Sequence, residues 1–378
     1  MKETPGVGTE KTGQGMNDGV FVNESEASTS GADKPRRRPR YSGTHPKQFA
    51  EKYKELAIDD HPELLVHLRA KGKTPAGTHI PILVEPILAA LAPAAGEVVA
   101  DCTLGYGGHA AAFLERIGPT GRLVGLDIDG AELERTRQRL SALGGAVSVY
   151  RSNFAGIGAI LQKEGLDGFD IIFADLGVSS MQIDNPARGL SYKHDGPLDM
   201  RMDDRHPQTA ADLLGTLSER ELSETLWELA DEPDHAAIAR QIVARRDAEP
   251  LASVAQLVEL VLDVKGLTLK DWKRLVRETP GLLHPAARTF QAIRMLVNDE
   301  LGALKALLRV APYCLRQAGR IGIISFHSGE DRLVKKAFAA GVTDGIYRSA
   351  SDDILVPDRD EIAANPRSRA AKFRWARV

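Results

Sequence analysis

Asp101-Cys-Thr-Leu-Gly-Tyr-Gly-Gly-His109 follows one apolar run, Glu97-Val-Val-Ala-Asp-Cys102, and precedes a helical one, Ala110–Ile117. A buried strand ending in an acidic residue, a glycine-rich turn and a helix together open a doubly wound α/β sheet. Gly105, Gly107 and Gly108 allow a tight turn and a close approach of backbone to a ligand at the C-terminal edge of that sheet. Working outward, Arg122-Leu-Val-Gly-Leu-Asp127 is a second strand, and a charged helix follows from Ala131. Val147–Arg151 and Asp170-Ile-Ile-Phe-Ala-Asp175 are the third and fourth strands. Short apolar strands alternating with helices predict a parallel sheet covered on both faces. The alternation stops over residues 208–283. There Ser218-Glu-Arg-Glu221 reads as a capping box, with Leu222, Leu226 and Leu229 at helical spacing behind it. His235–Glu249 and Ser253–Val264 read as further helices of the same insertion. Alternation resumes with a long helix from about Pro285, a strand at Arg320-Ile-Gly-Ile-Ile-Ser-Phe326 and a last strand at Lys372–Val378. The expected fold class is α/β, a Rossmann-like doubly wound sheet with an inserted helical domain.

Composition sets the outer limits. A chain of 378 residues with 43% hydrophobic residues suits one large domain carrying an insertion, or two domains. Charges nearly cancel, 49 Lys and Arg against 52 Asp and Glu, for a net of −3, so any nucleic-acid contact must come from local patches. Two cysteines, Cys102 and Cys314, build no disulfide framework and fit a reducing cytoplasm. No apolar run approaches the roughly 20 residues that cross a membrane, and the N-terminus lacks the apolar core of a signal peptide. Residues 1–44, rich in Gly, Ser, Thr, Glu and Pro, read as a disordered extension. It closes on Lys34-Pro-Arg-Arg-Arg-Pro-Arg40, either a solvated linker or an arm that finds phosphates. Residues 45–77 read as a helical extension with no assignable role.

At the sheet edge, Asp101 puts a carboxylate beside the glycine loop, and Asp127 ends the next strand. A carboxylate at that second position can accept both ribose hydroxyls of an adenosine-containing cofactor. Two cofactor classes stay open. A nicotinamide dinucleotide would use Gly105-x-Gly107-x-x-Ala110 to approach its pyrophosphate. S-Adenosyl-L-methionine has no diphosphate but carries an ammonium and a sulfonium, and the charge of Asp101 favours it. Asp175-Leu-Gly-Val-Ser-Ser-Met-Gln182 leaves the fourth strand beside the first, at the topological switch point. This places Asp175, Ser179, Ser180 and Gln182 at the reacting centre, although a lone strand-end Asp is as often a helix cap.

Several segments together resemble the family of 16S ribosomal RNA cytosine-N4 methyltransferases (RsmH, also called MraW). They are His79-Ile-Pro-Ile-Leu83, Asp101–His109, Asp175–Ser180, Asp195-Gly-Pro-Leu-Asp-Met-Arg-Met-Asp203, His284-Pro-Ala-Ala-Arg-Thr-Phe-Gln291, Val297-Asn-Asp-Glu-Leu301, Ser325-Phe-His-Ser328 with Glu330-Asp-Arg332, and Asn365-Pro-Arg-Ser-Arg369. They run in the family order from about residue 78 to the C-terminus. The resemblance implies a class I S-adenosylmethionine-dependent methyltransferase domain over 78–207 and 284–378, with an inserted helical substrate-recognition domain at 208–283. It implies S-adenosyl-L-methionine as donor and cytosine 1402 of 16S ribosomal RNA in the small ribosomal subunit as acceptor. By motif match, the family's cofactor contacts fall on Gly107, Gly108 and His109, on Asp127 for the ribose, on Phe154 near the adenine, and on Asp175 and Gln182 by the methionine end. The chain departs from the pattern at Ala110, where Ser is usual, and at Gly329, where Leu is usual. It also carries an extra stretch near Asp263–Leu283 and an N-terminal extension of 77 residues.

The exocyclic amine of cytosine is a poor nucleophile because its lone pair is delocalised into the ring. An acceptor hydrogen-bonded to an amine hydrogen localises that lone pair and then takes the proton. Many amino methyltransferases use Asp or Asn before Pro-Pro and an aromatic for this; Asp175-Leu-Gly-Val-Ser-Ser stands in its place here. Asp175 or a nearby backbone carbonyl is the expected acceptor, with Ser179 and Ser180 shaping the pocket. Asp199 and Arg201 form either a loop closed on its own salt bridges or a wall of the base pocket. On the helix from Pro285, a stripe of Phe290, Ile293, Val297, Leu301, Leu304 and Leu308 is expected to face the core. Arg288, Gln291, Met295 and Asn298 fall opposite, toward the substrate cleft or toward the insertion. His327 either binds base or phosphate or caps a turn. No cluster of ligand spacing calls for a metal. The basic positions expected to grip RNA are Arg240, Arg245, Arg246, Lys270, Lys273 and Arg274. Two rivals share the fold: a methyltransferase of small molecules or proteins, and an RNA-binding module without activity.

Overall fold

The computed structural model describes residues 81–378, apart from 131, 132 and 280 and the side chain of Ser180. The readings of 1–44, 45–77 and His79 lie outside the described residues. The strands are β1 (Val98–Asp101), β2 (Arg122–Asp127), β3 (Ala146–Arg151), β4 (Phe169–Asp175), β5 (Leu315–Ser325), β6 (Ser349–Ala350) and β7 (Lys372–Arg377). They form one sheet in the order β3-β2-β1-β4-β5-β7-β6. β1 to β5 run parallel, and β7 is antiparallel to both of its neighbours. The chain winds one way from β1 to β3 and the other from β4 onward. A crevice therefore opens between the C-terminal ends of β1 and β4, where ligands of such sheets bind. This is the class I methyltransferase topology.

Helices cover the sheet as the alternation predicts. They are α1 (Val84–Leu91), α2 (Gly108–Ile117), α3 (Leu133–Ser141), α4 (Ile157–Lys163), α5 (Ser180–Asp184), α6 (Ala210–Thr216), α7 (Glu219–Ala230), α8 (His235–Arg245), α9 (Val254–Val264), α10 (Leu269–Glu278), α11 (Ala287–Val297), α12 (Glu300–Cys314), α13 (Ser328–Thr343) and α14 (Arg359–Ala364). Side chains alternate across a strand. Val99, Ile171 and Phe173 accordingly meet α1, α2 and α3 through Ile87, Phe113, Ile117 and Leu140 on one face. Ala100, Ile172 and Ala174 meet α4, α12 and α13 through Ile157, Leu307, Val334 and Phe338 on the other.

A separate apolar core holds the helical unit. Leu214, Leu222, Leu226, Ile238, Ile242, Leu257 and Val261 pack together there. Four of its helices, α6, α7, α9 and α10, each open on a capping box, of which Ser218–Glu221 is one. This core reaches beyond residues 208–283: it takes in Leu190, Leu198 and Met200 before them and Phe290 and Ile293 of α11 after them. One buried ion pair ties its ends. Glu232, past the end of α7, is fully buried, with Lys265 Nζ at 2.5 Å. Lys265 also reaches Asp234 at 2.7 Å, and Thr289 of α11 donates to Glu232 at 3.2 Å.

Three boundaries differ from the sequence reading. The helix from Pro285 is two helices, broken where Asp299 adopts a left-handed backbone with φ of 44°. Phe290, Ile293 and Val297 therefore face the helical core, while Leu304 and Leu308 face the sheet. Helical spacing runs unbroken across the turn, which concealed it. The strand expected from Arg320 begins at Leu315, because a bulge separates the pairing of Leu315 with Phe169 from that of Arg320 with Ile171. Within the bulge Arg316 pairs with Asp167 and Asp170, each at 2.8 Å. The helix expected over His235–Glu249 ends at Arg245. Among the described residues no helix is long and apolar enough to cross a membrane.

Candidate active site

The C-terminal ends of β1, β2, β4 and β5 open onto a cavity of about 720 Å³. One side is the sheet edge: residues 102–106 of the loop with Gly108 and His109, then Asp127, Phe154, Asp175, Ser179 and Gln182, while Gly107, an expected cofactor residue, lies outside the lining. The other side is built by Tyr192, Phe290 and Arg294, with His327 and Arg367 between.

The glycine loop is held from beneath. Gly107 caps α2 with φ of 75°, and a Cβ there would come within 3.0 Å of Thr136 and 3.2 Å of Leu140 on α3. The close helix packing and the left-handed backbone both require glycine. Asp127 Oδ2 accepts from Gly105 N–H at 2.6 Å and its Oδ1 from Asp129 N–H at 2.8 Å. Asp127 thus pins the loop to β2 and still offers each oxygen's second lone pair to a hydroxyl in the cavity. Burial pushes its carboxyl up to about 6 against the pull of these N–H groups. Asp101 departs from expectation. It is buried under the loop, accepts from Thr103 N–H at 3.1 Å and is not part of the cavity wall. Burial, and then the charge of Asp127, push it up to about 7.

Asp175 ends β4, anchored by its own N–H to Thr103 Oγ1 at 2.7 Å. Its carboxylate lines the cavity. Oδ2 faces His109 Nδ1 at 3.8 Å, and Oδ1 is buried with no hydrogen-bond partner. Burial, then the charges of Asp101 and Glu330, push this carboxyl up to about 8. His109 Nε2 lies 2.8 Å from the Ile82 carbonyl. A carbonyl only accepts, so Nε2 is the donor there and Nδ1 is the ring nitrogen on the side of Asp175. The imidazole also packs on Phe173, with ring centres 4.7 Å apart.

Ser179 and Gln182 serve each other. Ser179 Oγ accepts from Gln182 N–H at 3.2 Å, and Gln182 Oε1 accepts from Ser179 N–H at 2.9 Å, the capping box of α5. Gln182 Nε2 then donates to Asp129 at 2.8 Å. Both residues line the cavity, so Ser179 contributes shape and a rigid turn. Ser180 is the first residue of α5. Asn298 also lines the cavity, with its amide spent on the neighbouring loop: Oδ1 accepts from Met202 N–H at 2.7 Å and Nδ2 donates to the Met200 carbonyl at 2.8 Å. His327 caps α13, its Nδ1 accepting from Glu330 N–H at 3.4 Å and its Nε2 lying 3.1 Å from Glu330 Oε1.

Three expected substrate residues stand elsewhere. Asp199 and Arg201 clasp each other through two contacts of 2.8 Å, and Arg201 also reaches the His206 carbonyl at 2.7 Å. Theirs is the loop closed on its own salt bridge. Arg288 is exposed and donates to the Asp231 carbonyl at the end of α7, because the break at Asp299 fixes α11 with that edge toward the helical unit. Met295, expected toward the cleft or toward the insertion, is buried, while Gln291 of the same expected face lines the cavity. In their place the structure brings Arg188, Arg294, Tyr192, Arg367 and Glu330 to the cavity. Glu330 lay within the quoted Glu330-Asp-Arg332. Burial works against its charge, but His327, the Phe326 N–H and Arg294 hold its carboxyl below the usual range. Arg188, Arg294 and Arg367 carried no periodic signal. Each sits beside a carboxylate: Asp129 at 3.0 Å, Glu300 at 2.7 Å and Asp184 at 2.8 Å.

The pattern of the MraW methylase family matches residues 76–378. The chain belongs to that family. Ribosomal RNA small subunit methyltransferase H 2 of Alkaliphilus metalliredigens is 42% identical over 349 residues, covering 91% of this chain and 98% of its own length. That share exceeds residues 76–378 alone, so part of the N-terminal extension has a counterpart in this relative. Ribosomal RNA small subunit methyltransferase H of Geobacter sp. strain M21 is 42% identical over 312 residues, covering 78% of this chain and 97% of its own. This MraW-family chain is a methyltransferase, and S-adenosyl-L-methionine is its donor. The cavity suits a cationic ligand: the unpartnered Asp175 Oδ1 and the raised carboxyls of Asp127 and Asp175 all gain from positive charge. A diphosphate would lie against the same carboxylates, which sets the nicotinamide alternative aside.

Proposed function

We propose that the chain methylates the N4 exocyclic amine of a cytosine, position 1402 of 16S ribosomal RNA, with the base turned out of its stack into the cavity. The Asp175 carboxylate carries this reading: it ends β4 and lines the cavity, its side chain 27% exposed, with Oδ1 buried and without a hydrogen-bond partner. Asp127 would hold the donor's ribose hydroxyls, and Gly107, Gly108 and His109 the loop against it. Bound S-adenosyl-L-methionine supplies an electrophilic methyl group. The Asp175 carboxylate would accept a hydrogen bond from the amine, localise its lone pair and take the proton as the new C–N bond forms and the donor's methyl–sulfur bond breaks, its electron pair staying on the sulfur. The walls from Tyr192, Phe290 and Arg294 enclose the base and exclude water, which strengthens each of these contacts. Unstacking a nucleotide costs a few kcal/mol, repaid by stacking and edge contacts inside the pocket. Asp199, Arg201 and Arg288 do not line the cavity. A cytoplasmic location belongs to the same proposal, since the small subunit is the substrate.

The test is methyl transfer from labelled donor to purified small subunits and to naked 16S ribosomal RNA, with the modified nucleoside identified by mass. N4-Methylcytidine is expected; label on any other nucleoside, or on none, overturns the reading. A second expectation concerns the donor. Asp127→Ala removes contacts to hydroxyls at roughly 1.5–3 kcal/mol each. It is expected to weaken donor binding about 10²-fold or more in calorimetry while RNA affinity is unchanged.

A further inference from the structure

We infer that the outward face of α10 is a phosphate rail for the RNA strand flanking the target base, coupled to the cavity by a ladder of aromatic rings. The inference rests on the RNA substrate proposed above. In Leu269-Lys-Asp-Trp-Lys-Arg-Leu-Val-Arg-Glu278, Lys270, Lys273, Arg274 and Arg277 stand at i, i+3, i+4 and i+7. At 3.6 residues per turn they fall within an arc of about 100°. All four are exposed. Asp271 and Glu278 fall at the margin of that arc, outside it.

The opposite face is turned inward. Trp272 packs against the core of the helical unit, and its ring meets His284 edge-on at 4.8 Å. His284 stacks on Tyr192 at 4.4 Å with the planes 18° apart. Tyr192 is itself a wall of the cavity and meets Phe290 at 5.9 Å. Burial lowers the His284 ring to about 4, so it is a neutral stacking plate near neutral pH. Two ring contacts therefore fix the helix to the mouth of the cavity.

Other cations of the helical unit are scattered rather than aligned, Arg240 and Arg245 standing about 140° apart around α8. Arg240 faces Glu219 at 3.6 Å, Arg245 faces Asp263 at 3.4 Å, and Arg246 donates to the Leu217 carbonyl at 2.5 Å. On the rail, Lys270 and Lys273 have no carboxylate partner among the described residues. Arg274 reaches Asp271 at 3.1 Å, and Arg277 Nε donates to the Lys273 carbonyl at 3.2 Å. Exposed pairs of this kind hold little energy and yield to a phosphate. In a chain of net charge −3, four cations on one exposed helical face make a polyanion the fitting occupant. Leu269 and Val276, 41% and 36% exposed, border the rail and offer apolar surface to sugars and unstacked bases.

The test replaces Lys270, Lys273, Arg274 and Arg277 together by Gln and measures binding of naked 16S ribosomal RNA across a salt series. Each phosphate contact contributes about 0.7 to the slope of log K against log salt on a single strand. The slope is expected to become shallower by about 3. KM for RNA should rise at least tenfold, with donor affinity and turnover at saturating RNA within twofold of the parent. A parental slope and KM in the variant overturn the rail and leave the proposed function intact. A parent chain that neither binds nor methylates naked RNA or small subunits overturns both. Arg240→Gln with Arg245→Gln is the control: no change of slope supports the rail, and an equal change refutes it by making the effect one of general charge.

Discussion

Asp175→Asn is expected to lower turnover at saturating donor and RNA by roughly 10²- to 10⁴-fold, the usual worth of a positioned general base. The substitution keeps the shape of the side chain and removes its ability to take a proton. The pH dependence is expected to change with it. In the donor-free protein Asp175 titrates at about 8. The carboxylate is the working form, so kcat/KM for the donor should rise with pH and level off above that value. A bound cation favours the ionised carboxyl, so the limb in kcat should lie at lower pH than the limb in kcat/KM. Asp175→Asn should show neither limb. Stability runs the other way. Asp127, Asp101 and Asp175 are raised to about 6, 7 and 8 in the folded chain, against about 4 when unfolded. Their contribution to stability is complete below about pH 4 and is lost as pH rises through their folded values. Asp175→Asn should therefore melt no lower than the parent at pH 8 while being nearly inactive. Parental turnover in the variant would sink Asp175 as the acceptor and leave a backbone carbonyl of the same turn.

The parts of this site that follow from short-range rules were legible in the sequence. A strand ending in Asp, a glycine loop and a helix locate a cofactor edge because only glycine tolerates the φ of Gly107 and its approach to Thr136. Asp127 and Asp175 were legible for the same reason, as acidic ends of apolar strands. The substrate side was less so. Asp199 and Arg201 look available as residue types, and only the folded loop shows them satisfying each other. Arg294 reads as one of several polar residues on its helix, beside Arg288, Thr289 and Gln291. Its place on the cavity wall depends on the turn at Asp299, which a helical stripe running through 298–299 hides. Asp101 had the right charge at the right strand end, but one residue of strand register decides whether a side chain points under the loop or into the cavity. α10 was missed because its apolar face, centred on Trp272 and Leu275, is short and flanked by exposed Leu282 and Leu283.

Lys265→Met is expected to destabilise the helical unit by about 3–5 kcal/mol, because it leaves a buried carboxylate unpaired. Glu232 is 0% exposed and has Lys265 Nζ at 2.5 Å. With the ammonium gone, Thr289 Oγ1 at 3.2 Å is too little to hold a full charge, so Glu232 must take up a proton or draw in water. Methionine fills most of the lysine volume, which keeps the loss of packing small and isolates the charge. Lys265→Met with Glu232→Leu should therefore recover most of the loss, since an apolar pair of similar volume often replaces a buried ion pair without cost. Urea unfolding gives the free energies, and hydrogen exchange shows where they act. In the single variant, amides of α7, α9 and α11 should exchange faster, while those of β1, β2 and β4 keep their protection. The consequence for function follows from α11. Thr289 is its contact with Glu232, and Phe290 and Arg294 on the same helix wall the base cavity. Loosening that contact should raise KM for RNA while leaving donor affinity, which depends on the sheet edge, near the parental value. Equal weakening of donor and RNA binding would mean instead that the helical unit and the sheet edge unfold as one.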